Sequence, residues 1–186
     1  MQISQTPLAG LLLIEPKVFR DPRGAFMETF HQARYREVGL SAPFVQDNFS
    51  WSQANVLRGL HYQLTRPQGK LVMVVEGRVF DVAVDIRKGS PTFGQWHGVE
   101  LSADNGWQLY IPPGFAHGFC VLSEQAGFLY KCTDYYAPSD ERGIRWNDPG
   151  LAIAWPTVNP LVSPKDVAYK TLAEVDSDLP QWSGTP

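Results

Sequence analysis

Of the four histidines, His61 and His117 have surroundings that bear on chemistry. His61 stands in Arg58-Gly59-Leu60-His61-Tyr62-Gln63, and His117 closes Pro112-Pro113-Gly114-Phe115-Ala116-His117. An imidazole titrates near neutrality, so either side chain can take or give a proton at physiological pH. Polar groups also interrupt apolar segments: Arg58 beside His61, Lys70 at the head of Leu71–Val75, and Tyr130-Lys131 between Phe128 and Cys132. A base, a weakly acidic phenol and a cation for developing negative charge are the parts of a proton-transfer site. Each has an ordinary alternative. The histidines can be core residues bonded to backbone, Lys70 a strand-end cation in water, and Tyr130 a buried ring with a wet tip. His31, at a helix start, and His97, after Trp96 in a strand, read as surface or edge residues.

Short strands must position these groups. The 16 Gly and 15 Pro fall between short β-branched and aromatic runs and are not gathered in one linker, which is the turn punctuation of an all-β domain. Val79 to Arg87 alternates Phe80, Val82, Val84 and Ile86 with Asp81, Ala83 and Asp85, a period of two. The apolar run Leu71 to Val75 precedes it across Glu76-Gly77 and predicts a hairpin. Further strands are expected at residues 10–14, 24–30, 45–51, 57–63, 96–101, 108–111, 118–122, 128–134 and 152–155. Many short strands mean a sandwich or barrel. Helices are expected over His31–Val38, with Gly39 as C-terminal cap, and from Ser163-Pro164-Lys165-Asp166 toward Glu174, with Ser163 at the N-cap and Asp166 as an acidic third residue. Strict alternation puts Arg58, three residues from His61, on the opposite strand face; a bulge at Gly59 would bring it round.

A chain of 186 residues with 16 Lys and Arg against 19 Asp and Glu has a net charge of −3. Without a basic cluster it is not expected to bind nucleic acid. It reads as one domain over residues 1–186 with a loose tail from about residue 177, and its size needs no disulfide or metal staple. The run Leu11–Ile14 is too short for a membrane span or signal core, so the expected location is the cytoplasm. There Cys120 and Cys132 are expected to be reduced core thiols.

Gly106 to His117 carries the spacing Gly, five residues, Pro, one residue, Gly, two residues, His, which resembles the second motif of the cupin superfamily. Pro and Gly make a tight turn at a barrel rim, and the next strand aims its imidazole inward. A metal-binding cupin would carry His-x-His and a Glu around His61. Here Gln63 takes the place of the second His and no Glu lies between Gln63 and Lys70. Half a ligand set holds a divalent ion poorly, so no metal is expected.

Longer stretches carry a closer likeness: Glu15-Pro16-Lys17-Val18-Phe19, Asp21-Pro22-Arg23-Gly24, Phe44-Val45-Gln46-Asp47-Asn48, Val56 to His61, Gly69-Lys70-Leu71-Val72, Phe80 to Arg87, Ser90 to Trp96, Ile111 to Phe119 and Phe128 to Lys131. The chain resembles the dTDP-4-dehydrorhamnose 3,5-epimerases, the sugar-nucleotide branch of the cupins, from about Ile14 to Asp166. The resemblance implies a cupin-type jelly-roll barrel with a few short peripheral helices and a homodimer in which strands of one subunit complete the other's sheet. It implies epimerisation of dTDP-4-dehydro-6-deoxy-D-glucose at carbons 3 and 5, giving dTDP-4-dehydro-L-rhamnose for dTDP-L-rhamnose biosynthesis, without a cofactor.

Residue by residue, the resemblance puts the general base on His61, its orienting carboxylate on Asp166, the proton donor on Tyr130 and the cation beside the ketone on Lys70. Substrate contacts fall on Arg23, Glu28, Gln46, Asp47, Asn48, Arg58, His117, Glu141 and Lys165, the thymine-stacking ring on Tyr136, and an orienter for His117 on Asp81. Carbons 3 and 5 both flank the ketone, so proton loss from either gives an enolate and no redox step is needed. Arg23 and Arg58 offer planar forks for a diphosphate. Two alternatives stay open: a single-carbon epimerase with the same residues, and a nucleotide-sugar-binding cupin without catalysis. A metal-dependent cupin isomerase or dioxygenase conflicts with the missing ligands.

Overall fold

The turn-punctuated runs form the strands they predict, apart from the differences given below. The computed structural model describes residues 1–184. Strands β1 (Gln2–Gln5), β2 (Leu12–Glu15), β3 (Val18–Asp21) and β4 (Gly24–Met27) precede helix α1 (Gln32–Glu37). Next come β5 (Gln46–Gln53), β6 (Val56–Gln63), β7 (Lys70–Glu76), β8 (Arg78–Asp85), β9 (Trp96–Ser102), β10 (Gln108–Ile111), β11 (Phe115–Val121) and β12 (Gln125–Cys132). Strands β13 (Glu141–Gly143) and β14 (Leu161–Val162), helix α2 (Pro164–Val167) and a 3-10 helix (Leu172–Asp178) follow.

One sheet runs β1-β2-β10-β7-β12-β5 and the other β13-β6-β11-β8-β9, with β14 beside β6 and β3-β4 as a separate hairpin. Among the described residues the sheets share no hydrogen-bonded strand pair, so the all-β jelly roll of cupin type is an open sandwich and not a closed barrel. Val72, Val74, Leu109 and Phe128 of the first sheet pack between the sheets on Val79, Leu101, Phe115 and Phe119 of the second. Burial of such side chains is the main favourable term in folding. The outer face of the second sheet is covered by Ile144, Leu151 and Leu179, with Ile153 and Trp155 against them. Tyr35 of α1 and Leu40 cover the first sheet at Leu12, Ile14 and Leu71.

Four expectations are corrected. Residues 152–155 form no strand: Asp148 accepts the backbone N–H of Gly150 and Leu151, Ala152 has φ +47°, and the segment lies over the second sheet through Ile153 and Trp155. The helix from Ser163 stops at Val167. Arg145 N–H draws off the Lys170 carbonyl, and Thr171 restarts the chain by donating its N–H and hydroxyl to Glu174. Strands β1, β3, β13 and β14 were not expected, and β4 ends at Met27, before Phe30. The tail expected to be loose is strapped down: Leu179 is buried, the Trp182 N–H donates to the Lys88 carbonyl at 2.9 Å, and the Arg87 guanidinium lies 4.2 Å from the Trp182 ring. Thr185 and Pro186 of that tail lie outside the described residues.

Candidate active site

A cavity of about 390 Å³ opens between the sheets, and β5, β6, β7, β11 and β12 supply most of its wall. Strand β5 turns Gln46, Asn48 and Ser50 inward while Phe49 and Trp51 face solvent. This reversal of the usual strand pattern is what a polar cavity requires. Strand β6 carries the bulge expected at Gly59: His61 pairs with His117, yet Arg58 pairs with Phe119, so three residues of β6 span two of β11. Arg58 and His61 therefore line the same cavity. Gly59 has φ +114° and a Cβ there would stand 2.6 Å from the Gly118 Cα, so glycine at both positions lets the bulge lie on β11.

The His61 Nε2 is 2.7 Å from Asp166 Oδ1, and the other carboxylate oxygen accepts the Gly59 N–H at 3.2 Å. Ser163 caps α2 by accepting the Asp166 N–H at 3.1 Å, which leaves the Asp166 carboxylate free to reach β6. Burial works to raise that carboxyl, but the bonds from His61 and Gly59 prevail and hold it below the ordinary carboxylate range. His117 Nε2 lies 2.9 Å from the buried Asp81, as expected for its orienter. Burial, with Lys70 and His61 nearby, keeps the His117 imidazole below its ordinary pKa despite that carboxylate. Burial likewise pulls Lys70 down and pushes the Tyr130 phenol up, so Tyr130 stays protonated.

At the rim, Tyr136 donates its hydroxyl to Glu141 at 2.6 Å, and Lys165 pairs with the same carboxylate. Two glutamines clamp the rim from below. Gln46 accepts the Tyr136 N–H at 2.8 Å, while Gln63 accepts the Ala137 N–H at 2.8 Å and donates to the carbonyls of Arg66 and Tyr135. Gln63 thereby spends its amide on loop anchoring. No group of three His, Cys, Asp or Glu suited to a metal occurs among the described residues, so the donor set does not fit the cupin metal site.

Of the residues singled out in the sequence, His61, Lys70, Tyr130, His117, Gln46, Asn48, Arg58, Tyr136 and Glu141 line this cavity. Asp166 and Lys165 reach it through His61 and Glu141. Arg23, Glu28 and Asp47 do not: they pair with Asp21, Arg34 and Lys131 away from it. Sequence reasoning missed Ser50, Gln68, Phe119 and Phe128. The polar alternation Gln46, Asn48, Ser50, Ser52 signals the inward face of β5. The Phe119–Phe128 stack, with ring centroids 4.2 Å apart, has no such signal, since aromatic residues in strands are usually core.

An open jelly roll that sets an imidazole–carboxylate pair and a protonated phenol in one cavity is a cupin-type scaffold for proton transfer. Residues 5–174 match the sequence pattern of the family described as dTDP-4-dehydrorhamnose 3,5-epimerase. The chain is 56% identical over 178 residues to the dTDP-4-dehydrorhamnose 3,5-epimerase of Shigella flexneri, covering 95% of this chain and 98% of that one. The like-named protein of Neisseria gonorrhoeae is 56% identical over 177 residues, 95% of this chain, which spans only 54% of that protein's length. The crystal structure of the dTDP-6-deoxy-D-glucose-3,5-epimerase of Legionella pneumophila in complex with dTDP-4-keto-L-rhamnose superposes with a TM-score of 0.95 at 56% identity, covering 98% of both chains. The chain belongs to the dTDP-4-dehydrorhamnose 3,5-epimerase family.

Proposed function

We propose that this protein epimerises dTDP-4-dehydro-6-deoxy-D-glucose at carbons 3 and 5, giving dTDP-4-dehydro-L-rhamnose, in the cytoplasm and in the service of dTDP-L-rhamnose biosynthesis. The observation that carries the proposal is the pair His61–Asp166 on one wall of a cavity whose other wall bears Tyr130. Asp166 fixes the imidazole tautomer through Nε2, leaving the other ring nitrogen as the base that removes the proton beside the ketone. Lys70 stabilises the enolate oxygen that develops, and Tyr130 returns a proton to the opposite face. Every step is a proton transfer, so the chemistry calls for no redox cofactor. Activity is expected to survive exhaustive chelation, because Gln63 is already committed to the rim loops.

The nucleotide half falls to the rim: Tyr136 stacks on thymine, with Gln46, Asn48, Arg58, His117, Glu141 and Lys165 as further substrate contacts. Arg23, Glu28 and Asp47 complete the list only if a second copy brings them to the cavity, and the chain acts as one domain within a homodimer. The outward aromatic pair Phe49 and Trp51, 6.0 Å between centroids, and the exposed Phe19 and Phe26 supply apolar surface for that contact. Both thiols are buried and unlinked, which suits a reducing compartment.

The test is incubation with dTDP-4-dehydro-6-deoxy-D-glucose in deuterated water, followed by NMR of the sugar. Deuterium is expected at carbons 3 and 5. Label at one carbon alone would make the protein a single-carbon epimerase, and no label at either would make it a binding cupin without catalysis.

A further inference from the structure

Asp166 is not the only residue near α2 that grips His61. Tyr169 follows three positions later, and its ring stands edge-on to the imidazole, with centroids 5.8 Å apart and planes at 73°. The place it occupies is set by the strand opposite. Gly143 of β13 pairs with His61 of β6, and the neighbouring pair Leu60–Ile144 exchanges both backbone bonds, at 3.2 and 2.9 Å. His61–Gly143 is therefore a non-hydrogen-bonded pair, the geometry in which facing side chains come nearest. Gly143 has no side chain to offer. The Tyr169 ring lies in that place instead: a Cβ on Gly143 would stand 2.2 Å from it.

We propose that Tyr169 is a positioning residue for His61, serving as the cross-strand neighbour that Gly143 leaves out and fixing the imidazole between its ring and the Asp166 carboxylate. The inference rests on His61 being the base, as proposed above. The ring carries the role, because the Tyr169 hydroxyl is buried without a hydrogen-bond partner in the described structure. A buried hydroxyl in that state costs stability and gains nothing in return. What the ring prevents is rotation of the imidazole out of line with the substrate carbon, and a displacement of about 1 Å at a reacting group can cost on the order of 10²-fold in rate.

The experiment compares Tyr169→Phe, Tyr169→Leu and Gly143→Ala with the parent protein by kcat, KM, thermal midpoint and the NMR shifts of the His61 ring protons. Phe keeps the ring, so kcat, KM and the ring-proton shifts should stay at parent values, with a thermal midpoint equal or higher. Leu removes the ring and Ala at 143 displaces it, so both should lower kcat by about tenfold or more, leave KM unchanged and move the His61 resonances. Gly143 is not among the positive-φ glycines, so its backbone accepts alanine and this variant carries the test if the Leu protein does not fold. Parent kcat in a folded Tyr169→Leu protein, or a loss confined to KM, would overturn the role. A raised KM in Tyr169→Phe would assign the hydroxyl to substrate and overturn it equally. The ring-proton shifts need no turnover, so a parent protein that fails to epimerise would sink the proposed function while His61 still reports on Tyr169.

Discussion

His61 and Tyr130 line one cavity from different sheets, His61 from β6 and Tyr130 from β12. Inverting a carbon requires a proton to leave one face and another to arrive on the opposite face. A single imidazole can only return a proton to the side it came from. The placement of an imidazole and a phenol on separate walls is therefore what distinguishes an epimerase site from a simple enolising one.

Lys70 should show in the pH profile. Its ammonium form is the one that stabilises an enolate, and burial pulls its pKa below the ordinary lysine value despite Asp81 and Glu141 nearby. As pH rises through that lowered value the charge is lost, so kcat should fall on an alkaline limb below the pKa of free lysine, about 10.4. Lys70→Met should lower kcat by roughly 10²- to 10³-fold and remove that limb. An unchanged alkaline limb in the Met variant would show that another group titrates there.

Asp85 should govern stability without entering the chemistry. Its buried carboxylate accepts from Arg87 Nε and Nη2, both at 2.8 Å, and from Ser90 and Thr92 at 2.6 Å. Burial opposes ionisation, yet these bonds hold the carboxyl below its ordinary value. A folded pKa below the unfolded one stabilises above the unfolded value, about 3.9, and that contribution is lost as pH falls through the folded value. Asp85→Ala strands the Arg87 guanidinium and should cost about 3–5 kcal/mol at neutral pH. Urea unfolding across pH should show the gap between the two proteins narrowing below about pH 4.

Strand β8 shows how far the sequence could be read. Its period of two is plain, but Asp81 and Asp85 are not its solvent face: both are buried, one on His117 and the other on Arg87. Alternation reports two faces without saying which is wet. The Gly59 bulge was legible because Arg58 and His61 otherwise fall on opposite faces. The contact of Asp166 with His61 was legible only through the family resemblance and that of Tyr169 not at all, since both join residues more than a hundred positions apart. The break after Val167 was hidden for a related reason, as its cause is the distant N–H of Arg145.

The assembly should be dimeric. Light scattering at micromolar concentration is expected to give twice the chain mass, and a monodisperse monomer would count against it. Because Arg23 does not line its own chain's cavity, mixing inactive Arg23→Ala and His61→Ala subunits under exchange should restore activity. No recovery, with exchange verified, would keep Arg23 out of the partner's site.

The division of labour between His61 and Tyr130 is tested most directly by deuterium incorporation in the Tyr130→Phe protein. The substitution removes one hydroxyl and little packing. With His61 and Asp166 intact, the enolate should still form and His61 should return a solvent deuteron to the original face, giving labelled sugar that is not epimerised. Epimerisation should fall by about 10²- to 10⁴-fold, while His61→Ala should lose both label and product. Epimerisation by Tyr130→Phe at the parent rate would contradict the account, because the proton on the second face would then come from another group.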